Sequence, residues 1–177
     1  MKKTVVLLFV LLLLPIAGGF CTDMEFYVSG GGGINAACVE GDELYHKSLT
    51  YDVNVSLLNF RFADRHTIGM PFIFRSFSET AWIDGRQLEM HHDFGVGLSY
   101  KYSFNRYIEL LSQTAFYYRN YPANKGSLFG MDLTMELWLM PIEYIGLRIP
   151  FTIGFTRDEI DLSVGLGAII RYTKENI

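Results

Sequence analysis

Charged side chains recur at alternate positions within otherwise apolar stretches of this 177-residue chain, and they are its first candidates for chemistry. Both signs occur, so the pattern predicts ion pairs and not a single-sign binding surface. A charge buried in a narrow interior without a partner carries a large desolvation penalty, so these groups must pair with one another or with trapped water. The set comprises Glu25, Asp52, Arg75, Asp93, Lys101, Glu109, Asp132, Glu136, Arg148, Asp161 and Arg171.

Other reactive residue types give weaker patterns. His91 and His92 follow Glu89 closely, but adjacent side chains of an extended strand point to opposite faces and cannot both bind one metal ion. Ser76 and Ser78 are candidate nucleophiles for lipid deacylation, but no histidine lies near them in the sequence. No nucleophile elbow, phosphate-binding loop or paired-cysteine motif occurs. The sequence therefore predicts no catalytic site, no metal site, no cofactor and no enzymatic activity.

A period of two in the apolar residues predicts the elements that position these side chains. Between Leu128 and Tyr172 the alternation runs through three consecutive segments, 129–139, 145–155 and 160–172. Such a period indicates extended strands with one apolar and one polar face. Strands of 11–13 residues exceed the ~5–6 residues typical of soluble domains and suit a tilted strand that crosses a bilayer in ~9–11 residues.

Five further strands precede these three, so we predict eight. Their predicted ranges are Asp23–Asn35, Leu49–Phe62, Thr67–Ser78, His92–Ser103 and Tyr107–Tyr118. Short turns at 64–66, 105–106 and 141–143 alternate with longer connections at 36–48, 79–91, 120–127 and 157–159. An even number of antiparallel strands with this asymmetry is typical of membrane barrels. The predicted fold is all-β, an eight-stranded antiparallel up-and-down transmembrane β-barrel.

The beginning of the chain has the features of an export signal. A charged start is followed by an apolar run from Val5 to Ile16 and by small residues up to Gly19. We predict a signal peptide at 1–19 and a single barrel domain at 20–177. Lipidation of Cys21 is the alternative to simple cleavage.

The composition excludes other classes of protein. A net charge of −4 with scattered signs leaves no basic stripe for nucleic acid. Hydrophobic residues make up 50% of the chain and aromatic residues 15%, which is high for a chain without transmembrane helices. Cys21 and Cys38 flank the first predicted strand, which holds its ends ~35 Å apart, whereas bonded cysteines need Cα atoms within ~7 Å. We expect no disulfide between them.

Periodicity alone does not decide whether the apolar face meets lipid or lines the cavity of a soluble, lipocalin-like binder. The polar face is rich in Gly, Ser and Thr, as a cramped eight-stranded interior requires, whereas a soluble exterior would carry Lys and Glu. Aromatic residues of the apolar face cluster at strand ends, as interfacial girdles do. They are Tyr51, Phe74, Phe94, Phe116, Tyr118, Phe129 and Phe155 at one end and Tyr100, Tyr102 and Tyr172 at the other. These features favour lipid outside.

The pattern over the whole mature chain resembles the small eight-stranded outer-membrane barrels of diderm bacteria, the family that contains the OmpA barrel, OmpX, OmpW, PagP and PagL. The closing strand of that family ends in an aromatic residue that the barrel-assembly machinery reads. Gly167, Ile170 and Tyr172 match this signal, and residues 173–177 extend beyond it. The resemblance implies a bacterial outer-membrane location, with outer-membrane lipid and the assembly machinery as partners. We expect a monomer.

Two prolines, Pro71 and Pro150, lie in the middle of predicted strands with the parity of the polar face. Each removes a ladder hydrogen bond that a closed barrel has no spare edge to lose. One interpretation is a local bulge with water at the unpaired group. The other, which the resemblance to PagP- and OmpW-type barrels implies, is a lateral seam between lumen and bilayer.

Function is less well specified than fold. Side chains just fill an eight-stranded interior, so a wide diffusion channel is excluded. The charge network is either a structural plug or a narrow pore whose salt bridges rearrange. We expect a structural or surface-interaction protein whose loops around Tyr45, Trp82 and Tyr121 contact host or envelope molecules. A narrow pore or transporter for small, hydrophobic solutes is the alternative, and a lipid-modifying outer-membrane enzyme is the third possibility.

Overall fold

The computed structural model describes residues 23–39, 45–62, 65–78, 91–120, 127–157 and 159–175. Eight strands follow one another in chain order, each antiparallel to its neighbours, and β8 pairs with β1 to close a barrel. The strands are β1 (Asp23–Val39), β2 (Tyr45–Phe62), β3 (His66–Ser78), β4 (His91–Asn105), β5 (Ile108–Asn120), β6 (Ser127–Ile142), β7 (Ile145–Thr156) and β8 (Glu159–Glu175). The predicted fold class is confirmed.

The wall of the barrel has its apolar face outside. Among the described residues, 22 polar or charged side chains are buried but only ten apolar ones, while 36 large hydrophobic side chains are exposed. A soluble monomer exposes only small contiguous apolar patches, so a continuous apolar exterior identifies a surface that lipid covers. The lipocalin-like alternative is therefore wrong.

The connections differ between the two ends of the barrel. Short turns join β2 to β3, β4 to β5 and β6 to β7 at one end, which we call the turn end. The other four connections lie at the opposite end, the loop end. At the turn end, the Ser103 amide of β4 donates to the Arg65 carbonyl of the β2–β3 turn at 2.9 Å, which joins that turn to β4.

Some strands extend beyond the predicted limits. β1 continues to Val39 and β2 begins at Tyr45, so most of the expected connection at 36–48 is paired backbone. β8 continues to Glu175, so residues 173–175 belong to the closing strand. Ladder hydrogen bonds join backbone groups and continue where the side chains are no longer apolar, so the apolar pattern marks only the part of a strand that faces lipid.

A row of cross-strand partners shows how the strands tilt. The row leaves β1 at Glu25, passes Ser99 and Gln113, and returns to β1 at Asn35, ten residues farther along. Such a stagger in eight strands corresponds to a tilt of about 40° from the barrel axis. Lumen side chains that are register partners therefore follow a spiral from the turn end to the loop end.

Aromatic side chains collect at both ends of the apolar exterior. Phe74 packs against Phe94 at the loop end, with ring centroids 5.1 Å apart. Tyr102 packs against Phe104 at the turn end, also at 5.1 Å. These belts lie where the two bilayer interfaces would meet the wall.

The described residues do not include the start of the chain. The predicted signal peptide at 1–19 and Cys21 lie outside the described residues, so cleavage, lipidation and the expected absence of a disulfide stay predictions. Cys38 is an exposed, free cysteine on β1. No helix in the six described ranges is long and apolar enough to cross a bilayer.

Candidate functional site: the charged lumen

Ion pairs occupy the barrel interior in three layers, which we call the turn-end, middle and loop-end layers. The eleven charged residues identified in the sequence all point into this interior, and all except the half-buried Asp52 are buried. Strand alternation places them there because every charged position shares the parity of the small polar residues on its strand.

The turn-end layer joins Glu25 and Glu109 to Lys101 and Arg171. Lys101 donates from Nζ to Glu25 Oε1, and its Nζ lies 3.2 Å from Glu109 Oε2. Arg171 Nη1 donates to both carboxylate oxygens of Glu109, at 2.8 and 2.7 Å. These pairs cross the lumen and tie β1 and β8 to β4 and β5.

Arg61 completes the turn-end layer and is absent from the set found in the sequence. Its Nη2 donates to Glu25 Oε2 at 3.3 Å, and its Nη1 lies 3.8 Å from Asp23. A bulge in β2 between Ser56 and Asn59 shifts the parity by one residue, so odd-numbered positions face inward after it. An uninterrupted count of two along β2 assigns Arg61 to the wrong face.

The middle layer is centred on two arginines. Arg148 Nη1 donates to Glu136 Oε1 at 2.8 Å, and its Nη2 donates to Asp52 Oδ2. Arg75 Nη2 donates to Asp132 Oδ2. This layer thus contains three carboxylates and two guanidinium groups.

The loop-end layer depends on Arg119, which the sequence set also lacks. Its Nε and Nη2 donate to the two oxygens of Asp93 at 2.9 and 3.1 Å. Nη2 also reaches Asp161 Oδ2 at 3.2 Å, and Nη1 donates to Glu159 Oε2 at 2.9 Å. Counting by twos along β5 from Glu109 places Arg119 on the lumen face, so this signal was available in the sequence.

An apolar cluster separates the turn-end and middle layers, and we call it the septum. Its members are Tyr27, Leu111, Trp138, Met140 and Ile169. The Tyr27 and Trp138 rings meet edge to face with centroids 4.9 Å apart. Trp138 Nε1 donates to Glu136 Oε2 at 2.7 Å, which satisfies its polar group. The septum occupies lumen positions, so the interior is not uniformly polar.

A cavity of about 30 Å³ lies in the middle layer. At about 10–15 Å³ for each molecule, this volume has room for about two waters. Its lining includes Asp52, Asn54, Gln113, Thr134 and Thr152. The cavity is polar and small, so it accommodates water or a small ion and no organic solute.

The β7–β8 ladder is interrupted at Pro150. Ile149 and Pro150 lack ladder partners on β8, opposite Gly165 and Leu166, while the register is the same on both sides of the gap. The bulge interpretation therefore does not describe this position. Pro150 and Gly165 also line the cavity, so the gap adjoins it.

A similar gap surrounds Pro71 in the β3–β4 ladder. Met70 and Pro71 lack partners on β4, again with no change of register. The nearby bulge lies on the other side of β3, in the β2–β3 pair between Ser56 and Asn59. Pro71 is buried and is not among the residues that line the cavity.

Strand pairing brings a histidine beside one of the candidate serines, although the two are far apart in the sequence. β3 and β4 pair Ser76 with His92, on the face that lipid covers, so a histidine does lie beside this serine. The described residues include no hydrogen bond between them, and the His92 ring stacks on Phe74 at 6.0 Å. His91 lies on the opposite face and stacks on Phe77 at 4.2 Å. Within the described ranges, no group of three or more His, Cys, Asp or Glu side chains could hold a metal ion.

No protein-family model matches the chain, and no curated protein sequence matches it. Solved structures do match. Neisserial surface protein A (NspA) has a TM-score of 0.59 and 9% identity over 83% of this chain and 97% of its own. The attachment invasion locus protein Ail of Yersinia pestis has a TM-score of 0.57 and 12% identity over 85% of this chain and 99% of its own.

A second structure of Ail, in complex with the heparin analogue sucrose octasulfate, has a TM-score of 0.53 and 16% identity over the same shares of the two chains. Identities this low establish the fold. The chain is an eight-stranded barrel that matches those of bacterial outer-membrane proteins, which confirms at the level of the fold the resemblance predicted from its sequence.

Proposed function

We propose that the chain is a closed-lumen barrel of the outer membrane with a structural or surface-interaction role. The observation that carries this proposal is the occlusion of the interior. Three layers of ion pairs and the septum cross the lumen, and the cavity of about 30 Å³ between them admits only water-sized molecules. A barrel that passes no solute acts through its outer wall and its loops.

The loop end has an acidic sequence. The connections at 40–44 and 79–90 contain six acidic residues and one basic residue. Complementary charge selects partners, so this end suits cationic or uncharged surfaces. Ail was solved with a sulfated ligand, and a polyanion of that kind does not suit this chain. Trp82 and Tyr121 lie outside the described residues, as does the side chain of Tyr45, and we propose that these aromatic residues add apolar contacts to the charged ones.

Cell-surface display tests this role. We expect that Glu40→Gln, Asp42→Asn and Glu43→Gln together lower the adhesion of displaying bacteria to a cationic surface. The matched control is Ser29→Ala, a buried lumen hydroxyl, which should leave adhesion unchanged. The strains display the unaltered barrel, the triple variant or Ser29→Ala at equal surface levels. Equal adhesion by all three would contradict the surface-interaction role.

The gap at Pro150 favours a second candidate, a lateral route for small hydrophobic solutes. The unpaired stretch of the β7–β8 ladder adjoins the cavity, so separation of these strands would join the cavity to the bilayer. Pro150→Ala supplies the missing N–H donor and would close such a route, whereas Pro71→Ala is a matched change away from the cavity. The measurement is uptake of a hydrophobic dye by proteoliposomes that contain the barrel. A lower uptake with Pro150→Ala, but not with Pro71→Ala, supports this candidate. Equal uptake by both variants and the unaltered chain excludes it.

The barrel-assembly machinery is the remaining expected partner. We propose that the barrel-assembly machinery recognises β8, whose Ile170 and Tyr172 side chains are 64% and 60% exposed on the outer wall. Tyr172 also stacks on Phe26 of β1, with centroids 6.5 Å apart. Tyr172→Ala should lower the yield of membrane-inserted barrel in cells more than it lowers refolding in detergent. Equal losses of membrane insertion in cells and of refolding in detergent would contradict recognition of β8 by the assembly machinery.

A further inference from the structure

We propose that the cavity of the middle layer binds one alkali-metal cation. This inference is independent of the surface role, because it concerns the interior alone. Two observations carry it: the middle layer has an uncompensated negative charge, and buried oxygen atoms without hydrogen-bond partners belong to residues that line the cavity.

The charges of the middle layer do not balance. Among the residues that the structure describes, Asp52, Asp132 and Glu136 face Arg75 and Arg148, which leaves one negative charge in excess. Its neighbours do not supply the missing positive charge. Counted over the described residues, the ion pairs of the turn-end layer join three carboxylates to three cations, and those of Arg119 in the loop-end layer reach three carboxylates. An unbalanced charge in a narrow lumen is strongly unfavourable, so a mobile cation is attracted to this level.

The acceptor atoms are in place at the cavity. Asn54 Oδ1 and Gln113 Oε1 have no hydrogen-bond partner, and their residues are 4% and 5% exposed. Asn54 Nδ2 donates to Glu136 Oε1 at 3.5 Å, so the amide group has its donor side engaged and its oxygen unused. Gln113, Thr134 and Thr152 are successive register partners on β5, β6 and β7, so their side chains form a continuous oxygen-bearing row along this wall.

The chemistry of this lining selects the class of cation. Asp52 and Glu136 of the lining are paired with Arg148, so the oxygens left for a ligand are neutral amide and hydroxyl groups. With one net negative charge they suit a hard monovalent ion, whereas Ca²⁺ and Mg²⁺ are bound mainly through carboxylates. A cavity with room for about two waters accepts Na⁺ or K⁺ and excludes a bulky organic cation such as choline. Arg75 also lines the cavity; its Nη2 donates to Asp132, whereas its Nε has no hydrogen-bond partner among the described residues, so the cation is expected on the Asn54 and Gln113 side of the cavity.

Unfolding of the unaltered, refolded chain in NaCl, KCl and choline chloride at equal ionic strength tests the proposal. We expect the urea midpoint to rise with Na⁺ or K⁺, to saturate with concentration and to show no such rise with choline, because only a small ion enters the cavity. Broadening of the ²³Na resonance by the folded protein, lost on unfolding, should accompany the rise. Identical midpoints in all three salts would overturn the proposal and point to a proton as the compensating charge.

Two variants locate the effect. Gln113→Leu removes an acceptor and keeps every charge, while Asp132→Asn removes the excess charge. Both should lose the cation-dependent rise, whereas Ser29→Ala, a buried hydroxyl that is not part of the cavity lining, should keep it. A full rise retained in Gln113→Leu would overturn the assignment to this cavity. If Asp132→Asn does not fold, the salt comparison and Gln113→Leu decide the question.

Discussion

Arg119 shows what one side chain does inside this barrel. Its guanidinium group is fully buried, forms hydrogen bonds with carboxylates of β4 and β8, and lies 5.1 Å from the Phe77 ring. Removal of one partner from a buried ion pair leaves the remaining charges without solvent, which costs more free energy than the pair contributes. Loss of the charge of Arg119 is therefore expected to destabilise the whole loop-end layer.

We predict that Arg119→Met lowers the free energy of unfolding by about 3–5 kcal/mol, because Asp93 and Asp161 are left buried without a cation. Urea titration of the refolded barrel in lipid vesicles measures the change. Arg65→Met, at an exposed turn position, is the matched loss of an arginine and should have no measurable effect. Equal effects of the two substitutions would show that burial of the charge does not matter.

The sequence predicted much of the candidate site at this scale, and two of the three omissions, Arg61 and the septum, have physical causes, whereas Arg119 could have been found from its parity. The eleven charged residues could be assigned because an extended strand alternates its faces regardless of its partners. Arg61 was missed because the bulge in β2 depends on pairing with β3, which a count along one strand does not contain. The septum was missed because Trp138 and Ile169 are apolar residues at lumen positions, and alternation does not say what fills a lumen.

At the scale of the strands, the closing β1–β8 pair depends on glycine. A Cβ atom on Gly31 would lie 2.5 Å from the Leu166 carbonyl oxygen and 2.7 Å from the Gly167 Cα atom. Both are backbone atoms of β8, so the strands would have to separate to admit it. At Gly32, on the outer face, a Cβ atom would meet the Thr50 carbonyl oxygen at 3.4 Å, an ordinary contact.

Gly31→Ala should therefore lower the free energy of unfolding by about 1–3 kcal/mol through overpacking. Gly32→Ala adds the same methyl group one residue away and should be neutral or slightly stabilising, because it restricts the unfolded chain. The comparison requires only urea midpoints of the two refolded variants. Similar midpoints for both would show that the β1–β8 pair is not as close as described.

Strand number and order were predictable, but strand ends and ladder gaps were not. Turn residues and the period of two locate the crossings, since membrane strands need an apolar face of a certain length. The extensions of β1, β2 and β8 rest on backbone pairing with neighbours. Likewise, Pro150 marked a missing donor in the sequence, while its position beside the cavity depends on the stagger of the whole barrel.

At the scale of the whole molecule, an apolar wall surrounds a polar interior that the septum crosses. We predict that Trp138→Ala removes the edge-to-face contact with Tyr27, leaves a cavity and lowers stability by about 3–5 kcal/mol. The same variant should allow small ions to cross reconstituted membranes. Ile142→Ala, at an exposed position near the turn end, is the control that should keep the barrel closed. A Trp138→Ala barrel that stays non-conducting would mean that the ion-pair layers alone close the lumen.

Closure of the lumen is tested most directly by current through a planar lipid bilayer that contains the refolded, unaltered chain. A heat-dependent mobility shift in SDS gels on the same sample would establish that the barrel is folded. The structure predicts that a folded sample gives no stepwise conductance in molar KCl, because the septum and three ion-pair layers cross the interior. Reproducible, long-lived current steps from the folded chain would contradict a closed barrel and restore the narrow pore as its function.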